Sequence, residues 1–259
     1  MTHDNCEQLT THSRATDVLA EDAYTGFLRE RKAYLSERIT NAVQKSGRSL
    51  DDIQLCAVSK TVDVPEILAA SRAGYTLFGE NRPQALRDKA LSLKSAIQQG
   101  SLRFDMIGNL QLNKINMVLD NCCRIQSVSS LELARALNKH AGAKGLRVSC
   151  LLEINVVGEL SKSGFSSKAL YECLDELMSM EHIHIEGLMN MAPRNDPDTA
   201  RRSFVGLYEL HEALREQTGL ELSTLSCGMS DDFEIALEEG STLIRLGRIV
   251  FDTNYKVTA

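Results

Sequence analysis

The chain has 259 residues, of which 43% are hydrophobic and 25% are charged. This length and composition suffice for one α/β barrel or for two smaller domains. A net charge of −6 argues against a broad nucleic-acid-binding surface, which needs clustered lysine and arginine. The N-terminus lacks the basic-then-apolar order of a signal peptide, and no long uncharged apolar run follows it. We therefore expect a cytoplasmic protein without membrane contact.

The seven cysteines give an odd count, and none of them forms a CxxC pair or lies at metal-ligand spacing from histidine. In a chain with no signal peptide, this pattern is typical of reduced thiols. We predict no metal site.

The N-terminal segment divides into two regions. Residues 1–22 show no apolar periodicity, and we predict a mobile polar tail there. From Tyr24 to Val43, apolar residues recur at steps of three and four, which predicts an amphipathic helix that ends near Gly47. Because no linker interrupts the remainder, we expect residues 23–259 to form one domain.

The sequence LCAVSKT at residues 55–61 is an apolar run that stops at a lysine, Lys60. Its alternate residues can face two apolar layers, as in a strand buried on both faces of a parallel sheet. Ligands of parallel α/β folds bind at the C-terminal ends of the strands. Lys60 is therefore either a solvated residue that closes the strand or an amine available for imine formation.

Seven further strand signals follow, and helical patterns separate them. They lie at residues 75–78, 104–107, 124–128, 148–155, 183–189, 224–227 and 242–246. Eight strand–helix units in this length predict a single (β/α)₈ barrel rather than an open doubly wound sheet. A doubly wound sheet usually carries GxGxxG after its first strand, whereas residues 59–67 read SKTVDVPEI, without glycine.

The loops after the last two strands of such a barrel often bind phosphate. After the seventh strand comes CGMSDD, in which Ser230 either caps the next helix or joins its amides as a phosphate ligand. In the eighth strand, Arg245 lies among apolar residues just before Gly247. A buried guanidinium needs acceptors, either a barrel carboxylate such as Glu153 or a ligand. An amine next to an anion site suits pyridoxal phosphate, which has an aldehyde, a phosphate and a ring nitrogen.

Several short motifs occur in a fixed order: AVSKT, FGEN, IGNLQ followed by Lys114, SKSG, EGLM, LSCGMSDD and GSTLIRLG. Through these motifs the chain resembles the pyridoxal phosphate homeostasis proteins of the YggS/PROSC type, from about Ile53 to Phe251. The fold of that family is a fold-type III (β/α)₈ barrel similar to the N-terminal domain of alanine racemase. The resemblance therefore implies the architecture that the strand count predicts, with an extra N-terminal helix.

The resemblance also implies roles for individual residues. Lys60 would form the internal imine, and Asn81 would lie near the cofactor. Arg245 would face the pyridine nitrogen and, because arginine keeps its proton, would leave the ring a weak electron sink. The phosphate would be held by Ser230, Gly247 and the backbone of Arg248.

The chain departs from the family pattern at several positions. Family members usually have histidine at Asp105, threonine at Arg248, glycine at Asp252 and arginine at Asn254, and often lysine at Val62. We expect Asp105 and Asn254 to alter the mouth of the pocket. Arg248 either adds an ionic hydrogen bond to the phosphate or displaces the usual hydroxyl contact. Lys162 of SKSG matches a family lysine near the pocket, and its alternative is a solvated loop lysine.

Two functions from different classes compete. The first is a binding protein that holds pyridoxal phosphate through Lys60 and takes part in its homeostasis without turnover. We expect such a protein to be a monomer whose partners include pyridoxal-phosphate-dependent apoenzymes. The second is a fold-type III enzyme such as an amino-acid racemase, which needs a second acid or base from Tyr255 or a partner subunit. An imine-forming aldolase and a purely structural barrel rank below both.

Overall fold

The computed structural model describes residues 7–158, 163–193 and 196–255, with side chains from residue 23 onward. Eight parallel strands close into a barrel in chain order, so the predicted (β/α)₈ fold is confirmed. The strands are β1 Gln54–Val58, β2 Leu77–Glu80, β3 Arg103–Met106, β4 Arg124–Val128, β5 Val148–Glu153, β6 Ile183–Met189, β7 Thr224–Ser226 and β8 Leu243–Leu246.

Helices surround the barrel, and two of the predicted strand–helix units carry a helix broken into two pieces. The α-helices are α1 Glu7–Lys45, α2 Val64–Arg72, α3 Pro83–Ser92, α4 Lys94–Gln98, α5 Ile115–Leu119, α6 Leu131–Ala143, α7 Ser167–Glu172, α8 Leu174–Met178, α9 Pro197–Thr218, α10 Phe233–Glu238 and α11 Arg248–Phe251. None of these helices, so far as they are described, is long and apolar enough to cross a membrane.

Alternate residues along each strand divide between two cores, as the period of two requires. A small apolar cluster inside the barrel contains Cys56 of β1, together with Leu77, Leu151, Met189 and Leu243. The residue after Cys56, Ala57, instead joins the large cluster between the strands and the helices. The two-layer interpretation of LCAVSKT is therefore confirmed.

Local capping signals explain where two of the helices begin. Ser130 caps α6 by accepting a hydrogen bond from the amide of Leu133 at 3.1 Å. At α2, Asp63 and Glu66 form a capping box, and Pro65 occupies the first turn, where its missing N–H is harmless.

The N-terminal helix is longer than predicted. We expected its start near Tyr24, but α1 begins at Glu7, so helical backbone extends into the segment predicted as a polar tail. The prediction of a start near Tyr24 is therefore wrong, because apolar periodicity reports only the part of a helix that packs. That the segment is mobile stays a prediction.

Helix α1 packs where the barrel closes between β8 and β1. The Tyr24 hydroxyl donates to the carbonyl oxygen of Phe251 at 3.0 Å, and Arg38 Nε donates to Glu234 at 2.8 Å. These contacts tie α1 to α10 and α11, the two helices that flank β8. The helix therefore supports the strand that carries Arg245.

Candidate functional site

Lys60 and Asn81 leave two neighbouring strands at the same level. Val58 of β1 pairs with Gly79 of β2, and each predicted site residue follows two positions later. Lys60 lies in an exposed turn just beyond the C-terminal end of β1. The structure therefore places an accessible amine at the edge of the barrel where sequence reasoning expected it.

A buried ion pair fixes the backbone next to both residues. Lys89 of α3 donates to a carboxylate oxygen of Glu80 at 2.6 Å and to the carbonyl oxygen of Ser59 at 2.8 Å. The other carboxylate oxygen of Glu80 accepts a hydrogen bond from the backbone N–H of Asn81 at 2.8 Å. One cluster thus holds the residue before Lys60 and the backbone of Asn81.

Sequence reasoning missed this cluster. Glu80 belongs to the FGEN motif, but it was not expected to be buried, and only 1% of its surface is exposed. Lys89 lies nine residues further on, on a helix, and no local pattern indicated that it turns inward. The available signal was an acidic residue at the end of an apolar strand, since a buried acid needs a cationic partner.

Arg245 lies inside the barrel and takes neutral acceptors. Its Nη1 donates to Ser226 Oγ at 2.6 Å, and its Nη2 donates to the carbonyl oxygen of Asn190 at 2.9 Å. The predicted alternative of an ion pair with Glu153 is wrong, although Glu153 is near enough to act on it electrostatically. Burial lowers the pKa of Arg245 from its ordinary value, with the nearby acidic groups opposing that shift.

Arg245 and Lys60 stand on adjacent strands. Arg245 pairs in register with Cys56 of β1, four residues before Lys60. Because both strands are parallel, Lys60 lies beyond Arg245 toward the C-terminal edge of the barrel. A flat ligand that spans this edge can contact both groups.

The loops after β7 and β8 bring together the predicted phosphate ligands. Ser230 lies in the turn after β7, and its hydroxyl accepts a hydrogen bond from the amide of Ile249 at 3.5 Å. Gly247 caps the short helix α11, of which Arg248 is the first residue. Hydroxyl and main-chain N–H groups therefore converge, as an anion site requires.

Ser230 is not the helix cap that we considered as its alternative role. The residue at that position is Asp232, whose carboxylate accepts from the amide of Met229 at 2.6 Å. Gly228 takes a left-handed φ of +92°, and a Cβ there would lie 2.7 Å from the Cβ of Ala236. Glycine is thus required for this loop to fold against α10.

The extra charge of Arg248 is paired with Asp231, the residue that follows Ser230 in the loop after β7. Its Nη2 lies 2.6 Å from Asp231 Oδ2, and both side chains are more than half exposed. The guanidinium also lies over the ring of Tyr255, at 5.7 Å from the centroid. The Tyr255 hydroxyl donates to Asp231 at 3.2 Å, and burial raises its pKa, with Asp231 adding to the shift.

Two departures from the family pattern lie in different places. Asp105 of β3 is fully buried inside the barrel, where it accepts from Arg124 Nη2 at 2.8 Å. The expectation that it alters the mouth of the pocket is therefore wrong. Asn254 is exposed beyond α11, where its backbone N–H donates a hydrogen bond to the side chain of Asp252 at 2.9 Å.

A second carboxyl, Glu153, ends β5 on the interior face. It lies two residues after Leu151 of the interior cluster and accepts from the Ser163 hydroxyl at 2.7 Å. Burial raises the pKa of Glu153, while Ser163 and Arg245 oppose that shift. Lys162, the candidate of the SKSG motif, falls outside the described residues.

The site has the groups that pyridoxal phosphate requires. The amine is on Lys60, the donor to a ring acceptor is on Arg245, and the anion donors are on Ser230 and α11. The donors to phosphate follow β7 and β8, and Lys60 follows β1, which pairs with β8. The residues therefore fit the cofactor that the sequence analysis indicated.

Comparisons with known proteins identify the family. The model of the N-terminal domain of alanine racemase matches residues 34–254. The pyridoxal phosphate homeostasis protein of Aquifex aeolicus (strain VF5) is 33% identical over 223 residues, which is 86% of this chain and 96% of that protein. The chain belongs to the pyridoxal phosphate homeostasis protein family. The family is named for homeostasis rather than for a reaction.

Solved structures agree with this assignment. PipY of Synechococcus elongatus PCC7942, in a structure with pyridoxal phosphate bound, is 30% identical, with a TM-score of 0.74, covering 86% of this chain and 99% of that chain. A protein from Bifidobacterium adolescentis is 34% identical, with a TM-score of 0.83, covering 89% of this chain and 96% of that one. Both solved structures therefore share this barrel along nearly their whole length.

Proposed function

We propose that this chain binds pyridoxal phosphate through Lys60 and takes part in pyridoxal phosphate homeostasis without catalytic turnover. The observation that carries the proposal is the placement of Lys60 and Arg245 on adjacent strands, beside converging anion donors. The bound cofactor in the related PipY structure supports it.

Lys60 supplies the reactive amine. It would hold the cofactor through its aldehyde, whose condensation with the amine would release the aldehyde oxygen as water. The exposed turn gives the aldehyde access to the amine. The pair of Lys89 and Glu80 holds the backbone on either side of the reacting groups, which limits the loss of conformational entropy on binding.

The other site residues bind the rest of the cofactor. Arg245 donates a hydrogen bond to the ring nitrogen and keeps its own proton. Asn81 follows β2 at the level at which Lys60 follows β1, and it would lie near the bound cofactor. The phosphate is held by Ser230 and by the backbone of Gly247 and Arg248.

Arg245 also supports a role without turnover. A protonated ring nitrogen makes pyridoxal phosphate a stronger electron sink for carbanion chemistry than an unprotonated one. A guanidinium surrounded by Ser226 and a backbone carbonyl has no proton that it gives up near neutral pH. The ring therefore stays a weak sink, which favours holding the cofactor over transforming amino acids.

A carrier role implies partners that receive the cofactor. We infer that pyridoxal-phosphate-dependent apoenzymes are among them, because they consume the free aldehyde that an exposed lysine can release. We infer further that the chain acts as a monomer, since each proposed contact to the cofactor comes from one barrel.

The test is the absorption spectrum of the purified protein with added pyridoxal phosphate, followed by borohydride reduction and peptide mapping. We expect a visible band and a label on Lys60, and Lys60→Ala should lose both. Lys94→Ala is the matched control, because Lys94 is an equally exposed lysine at the start of α4.

Unchanged labelling in Lys60→Ala, or no band at saturating cofactor, would overturn the binding proposal. Racemase assays with several amino acids then separate the carrier from the enzyme. Turnover that exceeds the rate with free pyridoxal phosphate and disappears in Lys60→Ala would favour the amino-acid racemase.

A further inference from the structure

A chain of hydrogen bonds crosses the barrel interior and ends on Arg245. Ser226 of β7 accepts from Arg245 Nη1 at 2.6 Å and donates to Gln126 Oε1 at 2.8 Å. Gln126 of β4 in turn donates from Nε2 to Asp105 Oδ2 at 2.6 Å. Three short bonds thus connect a buried carboxylate on β3 to the guanidinium on β8.

The direction of each hydrogen bond is set by the two end residues of this series, Arg245 and Asp105. Arg245 can only donate, so Ser226 must accept from it and has a single hydrogen left, which points to Gln126. A carboxylate can only accept, so the amide of Gln126 must present its N–H side to Asp105 and its oxygen to Ser226. Neither Ser226 nor Gln126 can reverse its orientation without leaving a buried group unpaired.

Such a chain acts on both the position and the charge distribution of Arg245. In a medium of low dielectric constant, linked hydrogen bonds polarise one another, so the Asp105 carboxylate makes Ser226 Oγ a stronger acceptor. The Ser226 and Asn190 contacts occupy two of the five N–H groups of Arg245 and fix the plane of its guanidinium. The remaining N–H groups are then available to a ligand in one orientation.

Asp105, at the opposite end of the hydrogen-bond chain from Arg245, has further partners of its own. Arg124 donates to it from Nε at 2.9 Å and from Nη2 at 2.8 Å, and Cys123 Sγ lies 3.0 Å from its other oxygen. Because this anchor does not involve Arg245, changes at Gln126 interrupt the chain while the ion pair of Asp105 and Arg124 stays in place.

We propose that Asp105, acting through Gln126 and Ser226, is a positioning residue that orients Arg245 toward the ring nitrogen of pyridoxal phosphate. The inference rests on the proposed function, since it concerns the same cofactor site. It also gives Asp105, a departure from the family pattern, a defined place in that site.

The experiment compares two substitutions in the same interior layer. Gln126→Met interrupts the chain with a side chain of similar length. Thr224→Val is the matched control, because Thr224 accepts from Arg124 Nη1 at 3.3 Å and is two residues from Ser226 but outside the chain. The dissociation constant for pyridoxal phosphate and the absorption maximum of the complex are measured for each, with a thermal melt to report folding.

We expect Gln126→Met to weaken binding about tenfold, the equivalent of one buried hydrogen bond, and to move the absorption maximum. Thr224→Val should change the dissociation constant by less than about twofold and leave the spectrum in place. In the double variant with Ser226→Ala, the effect of Gln126→Met should largely disappear, because both substitutions break one chain.

If the role of Gln126 is purely structural, Gln126→Met will lower the melting temperature without moving the absorption maximum. This result would overturn the inference while the proposed function stands. Equal effects of Gln126→Met and Thr224→Val would overturn it as well. If Gln126→Met does not fold, Gln126→Asn provides the same comparison, since it keeps the amide but is too short for both bonds. The absence of a band in the unmodified protein would overturn the proposed function and this inference together.

Discussion

The buried ion pair between Lys89 and Glu80 should dominate the stability of the barrel edge that carries Lys60. The two charged atoms are 2.6 Å apart, and the side chains are 10% and 1% exposed. Lys89→Met keeps the length of the alkyl chain but leaves the Glu80 carboxylate buried without its cation. Removing one member of such a pair typically costs about 3–5 kcal/mol, because the remaining charge stays desolvated.

The matched control is Lys144→Met. Lys144 and Asp120 are 2.5 Å apart, so the geometry of the pair is similar, but their side chains are 32% and 54% exposed. Exposed pairs contribute about 0–1 kcal/mol, since water screens them and ordering long side chains costs entropy. The contrast between the two variants therefore reports burial rather than the presence of an ion pair.

Urea unfolding followed by circular dichroism gives both free energies of unfolding. We expect Lys89→Met to lose at least about 2 kcal/mol more than Lys144→Met. Adding Glu80→Gln to Lys89→Met removes the stranded charge and should recover part of the loss. Equal losses in the two single variants would refute the reasoning, and so would a double variant that is less stable than Lys89→Met.

Two further outcomes test the interior carboxyl and the tight loop. Burial raises the pKa of Glu153, so the stability that this group contributes is present below its ordinary value of 4.5 and is lost as pH rises through the raised value. Relative to the unmodified protein, Glu153→Gln should therefore gain unfolding free energy as the pH rises from 4.5 through the raised pKa of Glu153. A difference in unfolding free energy that stays the same at every pH in urea titrations would contradict this. Gly228→Ala should lose about 1–3 kcal/mol, because its φ of +92° and the 2.7 Å contact both disfavour a Cβ. Gly26 lies in a helix with open space around it, so Gly26→Ala should instead be neutral or stabilising by up to about 1 kcal/mol. Equal losses of unfolding free energy in Gly228→Ala and Gly26→Ala would show that the loop is not strained.

The strand pattern was predictable because it depends on local periodicity. Strands β4 and β6 have the predicted limits, whereas β2 begins at Leu77 instead of residue 75. Tyr75 packs in the large core before the strand begins. Strand ends are decided by pairing with neighbours, which a single segment does not contain.

The candidate site was predictable in part. The positions of Lys60 and Arg245 follow from their places on parallel strands, since C-terminal ends meet at one edge. Ser230 was considered as a cap of α10, but the cap is Asp232, because two residues capable of capping occur close together and only the turn geometry distinguishes them. The partners of Arg245 were missed because Ser226 lies on β7 and Asn190 directly follows β6, far from Arg245 in the sequence.

The sequence by itself determined the class of fold and the strand end at which Lys60 lies. Alternation of short apolar runs with helical patterns specifies a barrel, and a lysine at the end of a strand specifies where its amine lies. Only the tertiary structure decided how the polar interior is connected. Asp105, Gln126, Ser226 and Arg245 come from four strands separated by as many as 140 residues, counting from Asp105 to Arg245. Their hydrogen bonds exist because barrel closure brings opposite strands within reach of each other, and no local pattern in the chain encodes that distance.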